Sequence, residues 1–462
     1  MSSSFYRVST ANMYDATLRN LSARQKTLVD LQENLTAGKR VVRPSDDPVA
    51  AAQAERALTR ISRIQTEQRA LDVQRNAIAQ AESTLGDAVG LVQEIRQLVV
   101  AAGGGALKPE DRKTYANQIQ SLREQLTQVI NRKDTNGVPL LGALGSALEP
   151  FTGPLLSNPD YLFAGLPGQA ASGGTSIPTT VDGHAALMFD PQRDGIYNAA
   201  ISSADPAYPQ DGRRFATDAV RVTNAHLLQQ PAPTVPPAPP ATPYTYTVAF
   251  TGVTLNKNPD GTYDGTYDAT YEINSTNPNF PAPLPQHTVK GLKADQLTII
   301  PISIDAPGGA TLKFNISATP TKDPVKLPPN NLVFSPAPGD TVTLSASPGI
   351  ASAIDSAIRD IGGAANNNAA AQAVGQALAN IDAGMERLHN MRGYAGELLN
   401  RADRITGDQD KRSIQLEADR SRAEDLDMVQ GISDFQNASV GYEAALKSYA
   451  QVQRLSLFNF IS

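Results

Sequence analysis

Of the 33 prolines in this 462-residue chain, 30 lie between Pro139 and Pro348, and none follows Pro348. Proline removes a backbone donor and fixes φ, so it ends helices and is kept out of central strands. Long helices are therefore confined to the two flanks, and the middle must be built from short strands, turns and loops. The predicted order is helical, then β and loop, then helical. A chain of this length exceeds a single core and implies roughly two to four domains.

The flanks carry matching heptad seams. Tyr14, Leu18, Leu21, Gln25, Leu28, Gln32 and Leu35 step 4-3-4-3-4-3, and Met428, Ile432, Phe435, Ser439, Tyr442, Leu446, Tyr449 and Gln453 step 4-3-4-3-4-3-4. A narrow apolar seam cannot face water alone, so each helix demands a partner. The economical partner is the other end of the same chain or the same end of a neighbouring copy. Residues 1–60 hold nine Lys/Arg against six Asp/Glu, and residues 417–462 hold four against seven. These opposite balances favour docking of the two ends.

Between the seams, the first helix is expected from about Ser9 to Ala37, stopped by Gly38. A second begins at the Pro44-Ser45-Asp46-Asp47-Pro48 turn, with Ser45 or Asp46 as cap and Pro48 in its first turn. Its stripe Ile64, Leu71, Ile78, Leu85, Val92 and Val99 recurs every seven residues, with Ala81, Ala88 and Ile95 three positions on, and Gly103-Gly104-Gly105 ends it. A third starts near Pro109 and closes at Asn136-Gly137. On the C-terminal side, Ile381, Met385, Leu388, Arg392, Ala395, Leu399 and Ala402 step in heptads, with an interruption expected near Gly407. Helices of this length predict a rod.

In the middle, Tyr244, Tyr246, Val248 and Phe250 alternate as a half-buried strand. Ile300, Ile302 and Ile304, the turn Pro307-Gly308-Gly309, and Leu312, Phe314 and Ile316 predict a hairpin. The repeat Gly261-Thr-Tyr-Asp264, Gly265-Thr-Tyr-Asp268, Ala269-Thr-Tyr-Glu272 puts Tyr263, Tyr267 and Tyr271 on one strand face. Pro231 to Pro243 reads as an exposed polyproline linker that divides the middle into two lobes. The domain plan is 1–43 with 425–462 as a terminal coiled coil, 44–170 with 338–424 as a helical rod, and 171–337 as a β-rich, proline-rich outer domain. The fold class is α+β.

Candidate chemistry is sparse. With no cysteine, disulfides, Cys-zinc sites and thiol catalysis are excluded, which suits a chain that crosses redox compartments. His184, His226, His287 and His389 are scattered without ligand spacing. Asn256-x-Asn258-x-Asp260-Gly261 begins like a calcium loop, but its twelfth position is Tyr267, where a bidentate acid is required. Asp46-Asp47 at a helix start is explained by capping and the helix dipole rather than by acid–base catalysis. The net charge of −6 argues against a general nucleic-acid or anionic-membrane surface. No apolar run approaches the roughly 20 residues needed to span a bilayer, and the first residues lack a cleaved-signal pattern. The residues thus point to an assembly subunit with no catalytic site, cofactor or metal.

Several segments resemble bacterial flagellins and their relatives. Thr135-Asn136-Gly137-Val-Pro-Leu-Leu141 is similar to the flagellin segment that ends a helix in Asn-Gly and continues into paired leucines. Ile381-Asp382 through Arg392, Gly396 and Asn400-Arg401 follows the flagellin C-terminal pattern. Ser45-Asp46-Asp47-Pro48 resembles the turn of the hook-associated branch. So do Asn158-Pro-Asp-Tyr-Leu-Phe-Ala-Gly165, Pro338-Gly-Asp-Thr-Val-Thr-Leu344 and the ending Leu455 to Ile461. The resemblance covers about 1–170 and 338–462.

It implies a structural subunit exported unfolded through the flagellar type III channel. The expected place is the hook–filament junction, outside the cell. Expected partners are the first hook-associated protein, filament flagellin, copies of itself in a ring and an export chaperone. The expected assembly interface is Tyr14, Leu18, Leu21, Leu28, Leu35, Met428, Ile432, Phe435, Tyr442, Leu446 and Tyr449. Rival readings are filament flagellin, an exported binding module or enzyme acting through 171–337, and a cytoplasmic coiled-coil scaffold.

Overall fold

The computed structural model describes residues 3–154, 161–202, 215–228, 243–280, 285–293, 296–318, 321–322, 332–333, 336–364 and 366–461. Its helices are α1 (Ser3–Ala37), α2 (Pro48–Ala102), α3 (Pro109–Ile130), α4 (Gly183–Leu187), α5 (Ile350–Gly362), α6 (Asn367–Glu424) and α7 (Met428–Ile461). Its strands are β1 (Phe151–Thr152), β2 (Leu162–Phe163), β3 (Tyr197–Ser202), β4 (Phe215–Thr217), β5 (Arg221–Thr223), β6 (Tyr246–Lys257), β7 (Tyr263–Ser275), β8 (Gln286–Lys293), β9 (Thr298–Ala306), β10 (Ala310–Ala318), β11 (Thr321–Lys322), β12 (Leu332–Val333) and β13 (Thr341–Ala346). Both chain ends are long helices and the middle is β-rich, an α+β fold.

The chain divides into two compact units, residues 1–72 with 403–462 and residues 73–402. The division falls inside α2 and α6, both of which run unbroken across it. In particular, α6 passes Gly407 without interruption. Its buried stripe continues as Leu398, Ala402, Ile405 and Gln409, which holds a glycine in helical conformation that intrinsic propensity would disfavour. The chain breaks instead between Glu424 and Met428.

In the first unit, α1 and α7 run antiparallel: Tyr14 meets Tyr449, Arg24 meets Gly441 and Leu35 meets Gly431. Gly38, at φ +69°, ends α1 in the left-handed region that glycine tolerates. The cap of α2 is Asp47, not Ser45 or Asp46. Its Oδ1 accepts the Ala50 amide at 3.0 Å, with Pro48 as the first helical residue. Asp46 instead turns the loop, its Oδ2 accepting the Val42 and Arg43 amides.

In the second unit, α2 and α6 are again antiparallel, tied by Arg96 to Asp382 and by Arg392 to Glu82. Ile78, Ala81, Leu85, Ala88, Val92, Ile95 and Val99 are all fully buried, as their heptad spacing predicts. On α6 the buried face is Ile381, Gly384, Leu388, Ala395, Leu398 and Ala402, so Leu398 takes the interior place expected of Leu399. A Cβ on Gly384 would collide with Ile350 of α5. Glycine there lets α5 lie against α6.

Helix α3 ends at Ile130, before Asn136-Gly137. Those two residues form a turn in which Asp134 Oδ1 accepts the Asn136 and Val138 amides, both at 2.8 Å. Gly137 has φ +81° there.

The β region holds a five-stranded antiparallel sheet, in order β3-β13-β6-β7-β8, and a second sheet in which β10 pairs with β4, β5 and β9. The predicted hairpin is β9–β10, closed between Ala306 and Ala310. On β7, Tyr267 and Tyr271 are buried and Tyr263 half-buried, the one-face pattern of the repeat. The calcium-like segment is the β6–β7 turn, where Asp260 Oδ1 accepts the Thr262 amide and hydroxyl. A single apolar core joins β3 and β4 with β6–β10 and β13. Strands from both sides of Pro231–Pro243 share it, so the described strands form one lobe rather than two. Apart from Pro243, that proline-rich stretch lies outside the described residues.

Candidate assembly interface

The terminal helices meet through an alternation of large and small side chains. On α7 the face toward α1 is Gly431, Phe435, Ala438, Tyr442, Ala445 and Tyr449, of which Gly431 is buried and the rest half-buried. Aromatic residues recur every seven positions and so do the small ones, which places large knobs beside shallow holes. A Cβ on Gly431 would lie 2.8 Å from Leu426 Cδ2 and 3.2 Å from Leu35 Cδ2. Helix α1 answers with Tyr14, Leu18, Leu21, Leu28, Leu31 and Leu35, all half-buried.

At the far end of the pair, the Tyr14 and Tyr449 hydroxyls are 2.7 Å apart, with ring centroids 5.6 Å apart. The Tyr14 hydrogen bond is the main reason the Tyr449 phenol is held above its ordinary value, with burial second.

At the near end, the strand after α1 zips onto the end of α6. The Arg40 amide donates to Glu424 O at 2.8 Å and the Leu426 amide to Gly38 O at 3.0 Å. Arg40 Nη2 donates to Ala423 O, and Lys39 pairs with Glu424. Val41, Ala50, Ala54 and Ala423 close a small buried cluster beneath this junction. The Ser-Asp-Asp-Pro turn is therefore a clamp on the joint between the two chain ends. Asp47 is held below the usual carboxylate range, first by the Ala50 amide and then by Arg40.

Not every predicted seam residue turns inward. Met428, Ile432 and Leu446 are 47, 46 and 40 % exposed, and Gln25 and Gln32 face solvent. The heptad on α7 is rotated by one position, because the small residues Gly431, Ala438 and Ala445 occupy the places read as Ile432, Ser439 and Leu446. Their seven-residue recurrence was a legible signal. Apolar residues at the outer positions drew the seam the other way. Leu31 and the Arg40–Glu424 contact were also missed. Among the described side chains of α1, none is buried. The outer face of the pair, with Val29, Val429, Ile432, Val440 and Leu446 exposed, is open.

The remaining motif residues lie in the second unit. Arg392 Nε donates to Glu82 Oε1 at 2.7 Å beside Gly86, Arg401 donates to Gly173 O at 2.9 Å, and Asn400 is exposed. Tyr161 is buried, its amide donating to Ser352 Oγ, whereas Asn158 to Asp160 lie outside the described residues. So do the side chains of Leu455 to Ile461.

The two chain ends thus pair as half-buried helices that leave apolar residues exposed. Residues 8–144 match the family model of the bacterial flagellin N-terminal helical region, so this part of the chain is similar to that region. The chain is also similar to flagellar hook-associated protein 3 of Escherichia coli K12. The two are 29% identical over 202 residues, which is 43% of this chain and 59% of that protein. The chain thus aligns with about six-tenths of the length of this curated relative.

Two solved structures share the fold. Flagellar hook-associated protein 3 of Legionella pneumophila superposes with a TM-score of 0.53 at 20% identity, covering 79% of this chain and 97% of that one. The flagellar junction protein FlgL of the same organism gives 0.50 at 20%, covering 76% and 99%.

Proposed function

We propose that this protein is a structural subunit of the bacterial flagellum that acts as an adaptor at the hook–filament junction. The observation that carries this reading is the α1/α7 pair. Two long helices from opposite chain ends bury each other only halfway and leave an apolar outer face, a seam that stacking of further helices would complete. In the ring so formed, the first hook-associated protein lies on one side and flagellin on the other. Tyr14, Leu18, Leu21, Leu28, Leu35, Phe435, Tyr442 and Tyr449 hold the pair together, while Met428, Ile432 and Leu446 meet neighbouring subunits. An isolated pair gains little burial, so it is marginal in the free subunit and orders on assembly. That suits export in an unfolded state, with a chaperone on α7 beforehand and the assembled protein outside the cell.

Deletion of the gene tests the reading: hooks should bear no filaments and flagellin should leak into the medium. Antibody labelling should decorate one narrow band on isolated hook–filament preparations. Label along the whole filament would instead favour the second reading, filament flagellin, which the match of residues 8–144 also fits.

A further inference from the structure

The β domain, residues 197–346, joins the helices of its own unit through two neighbouring chain crossings. The Ser347 amide donates to Ile196 O at 3.0 Å, the Phe189 amide donates to Pro348 O at 3.0 Å, and Met188 bridges Gly349. Two adjacent strands make a neck that can bend with little change elsewhere.

Away from the neck, α6 holds the domain through side-chain amides at helical i, i+4, i+8 spacing. Gln372 Nε2 donates to Ala199 O at 3.1 Å while its Oε1 accepts the Thr217 amide at 3.3 Å. Gln376 Nε2 lies 3.0 Å from Ala199 O and 3.2 Å from Thr217 Oγ1. Asn380 Nδ2 donates to Asn198 Oδ1 at 2.6 Å.

These bonds fall on two different sheets. In the described ladders β3 pairs with β13 and β4 pairs with β10, so both are edge strands. One pair of glutamines therefore satisfies the open edges of both sheets from a single helix, a task edge strands otherwise leave to solvent or to unwanted partners.

The contact borders an open polar space. A cavity of about 580 Å³ lies beside it, between β3, β13, α5 and α6. Its walls are small residues such as Ala353, Ala357 and Ala373. The Ser347 hydroxyl, on a residue 2 % exposed, lines it without a hydrogen-bond partner in the protein. A polar space of this size has room for water, which can take over each amide bond as it breaks.

We infer that Gln372, Gln376 and Asn380 form a releasable latch, and that the β domain swings open about the Ile196–Ser347 neck as one body while its own core stays intact. Opening breaks amide bonds that water replaces, whereas unfolding the domain would expose the shared core of both sheets. The low-energy motion is therefore rigid-body release.

The full chain contains no cysteine, so Ser303→Cys on exposed β9 and His389→Cys on exposed α6 give two unique spin-label sites. In the otherwise unchanged protein the distance distribution should be dominated by one closed population. Gln372→Met with Gln376→Met keeps side-chain volume while removing the bonds, and should add a second population. In that variant the Thr217 amide should exchange about tenfold faster, with β6–β7 amides as protected as before. Gln372→Ala with Gln376→Ala should behave alike. An unchanged distribution in the methionine variant would overturn the latch. So would joint loss of β6–β7 protection, because the amides would then be holding the domain's fold.

Discussion

The hydroxyls of Tyr14 and Tyr449 lie 2.7 Å apart across a sequence separation of 435 residues. That bond ties the outer part of the α1/α7 pair, and the Arg40–Glu424 and Gly38–Leu426 bonds close its inner end. The two chain ends are thus fastened at two separated points of a seam whose residues between them are half-buried.

The tyrosine bond makes the pair sensitive to alkali. The phenol of Tyr449 is raised mainly by Tyr14, so the bond's contribution is complete below the unfolded value near 10. It is lost as pH rises through the folded value. Far-UV circular dichroism of the full chain, followed from about pH 8 to about pH 11, should show a helix-loosening step. Tyr14→Phe should flatten it, and a profile identical to the original would refute the coupling.

Leu446 and Leu28 should separate assembly from pairing. Leu446 is exposed, so Leu446→Asp should change subunit stability by no more than about 0.5 kcal/mol, yet abolish incorporation at the hook tip. Leu28 faces the partner helix, and Leu28→Asp should loosen the pair itself. Protease mapping of the purified subunits, scored beside motility, distinguishes the two. If Leu446→Asp assembles normally, the outer face is not the subunit contact.

Gly431 is a point where the pair packs closely against apolar side chains. Gly431→Val places methyl groups against Leu35 and Leu426 and should cost about 1–3 kcal/mol, seen as earlier thermal loss of helix signal. Gly441 packs against the flexible end of Arg24, which can move aside, so Gly441→Ala should be far milder. Equal effects at the two glycines would contradict the packing described.

In the second unit, Gly384→Ala should destabilise by a comparable amount, about 1–3 kcal/mol, because the new methyl meets Ile350. Ile350→Ala in the same chain should recover part of that loss. Thermal melts of the two single variants and the double variant measure the coupling. Strict additivity would show that the two residues do not share the contact.

Much of this architecture was legible from residue spacing. The α2 stripe, the β9–β10 hairpin and the tyrosine face of β7 all follow from period alone, because each buries one face against a wide apolar partner. The α7 seam was legible only in part. Phe435, Tyr442 and Tyr449 announced it, but glycine and alanine carry little hydrophobic signal, so Gly431, Ala438 and Ala445 yielded their place to bulkier neighbours. The expected break at Gly407 failed for the converse reason, since burial of Ile405 and Gln409 outweighs one glycine. Asp47 displaced Ser45 and Asp46 as cap because the zipped Arg40–Glu424 joint fixes where the turn can end. The edge-strand bonds of Gln372 and Gln376 leave no periodic trace, because polar residues at helical spacing read equally well as a solvated face.

The neck at Ile196 and Ser347 has a consequence for what the chain can carry. Entry and exit are one hydrogen bond apart, so any domain whose own ends lie about 5 Å apart could be spliced between them without disturbing a helix. What lies between those two residues could be exchanged by design at the cost of the Gln372, Gln376 and Asn380 bonds to Ala199, Thr217 and Asn198. The insertion point behaves as a socket that sets where the inserted chain enters and leaves.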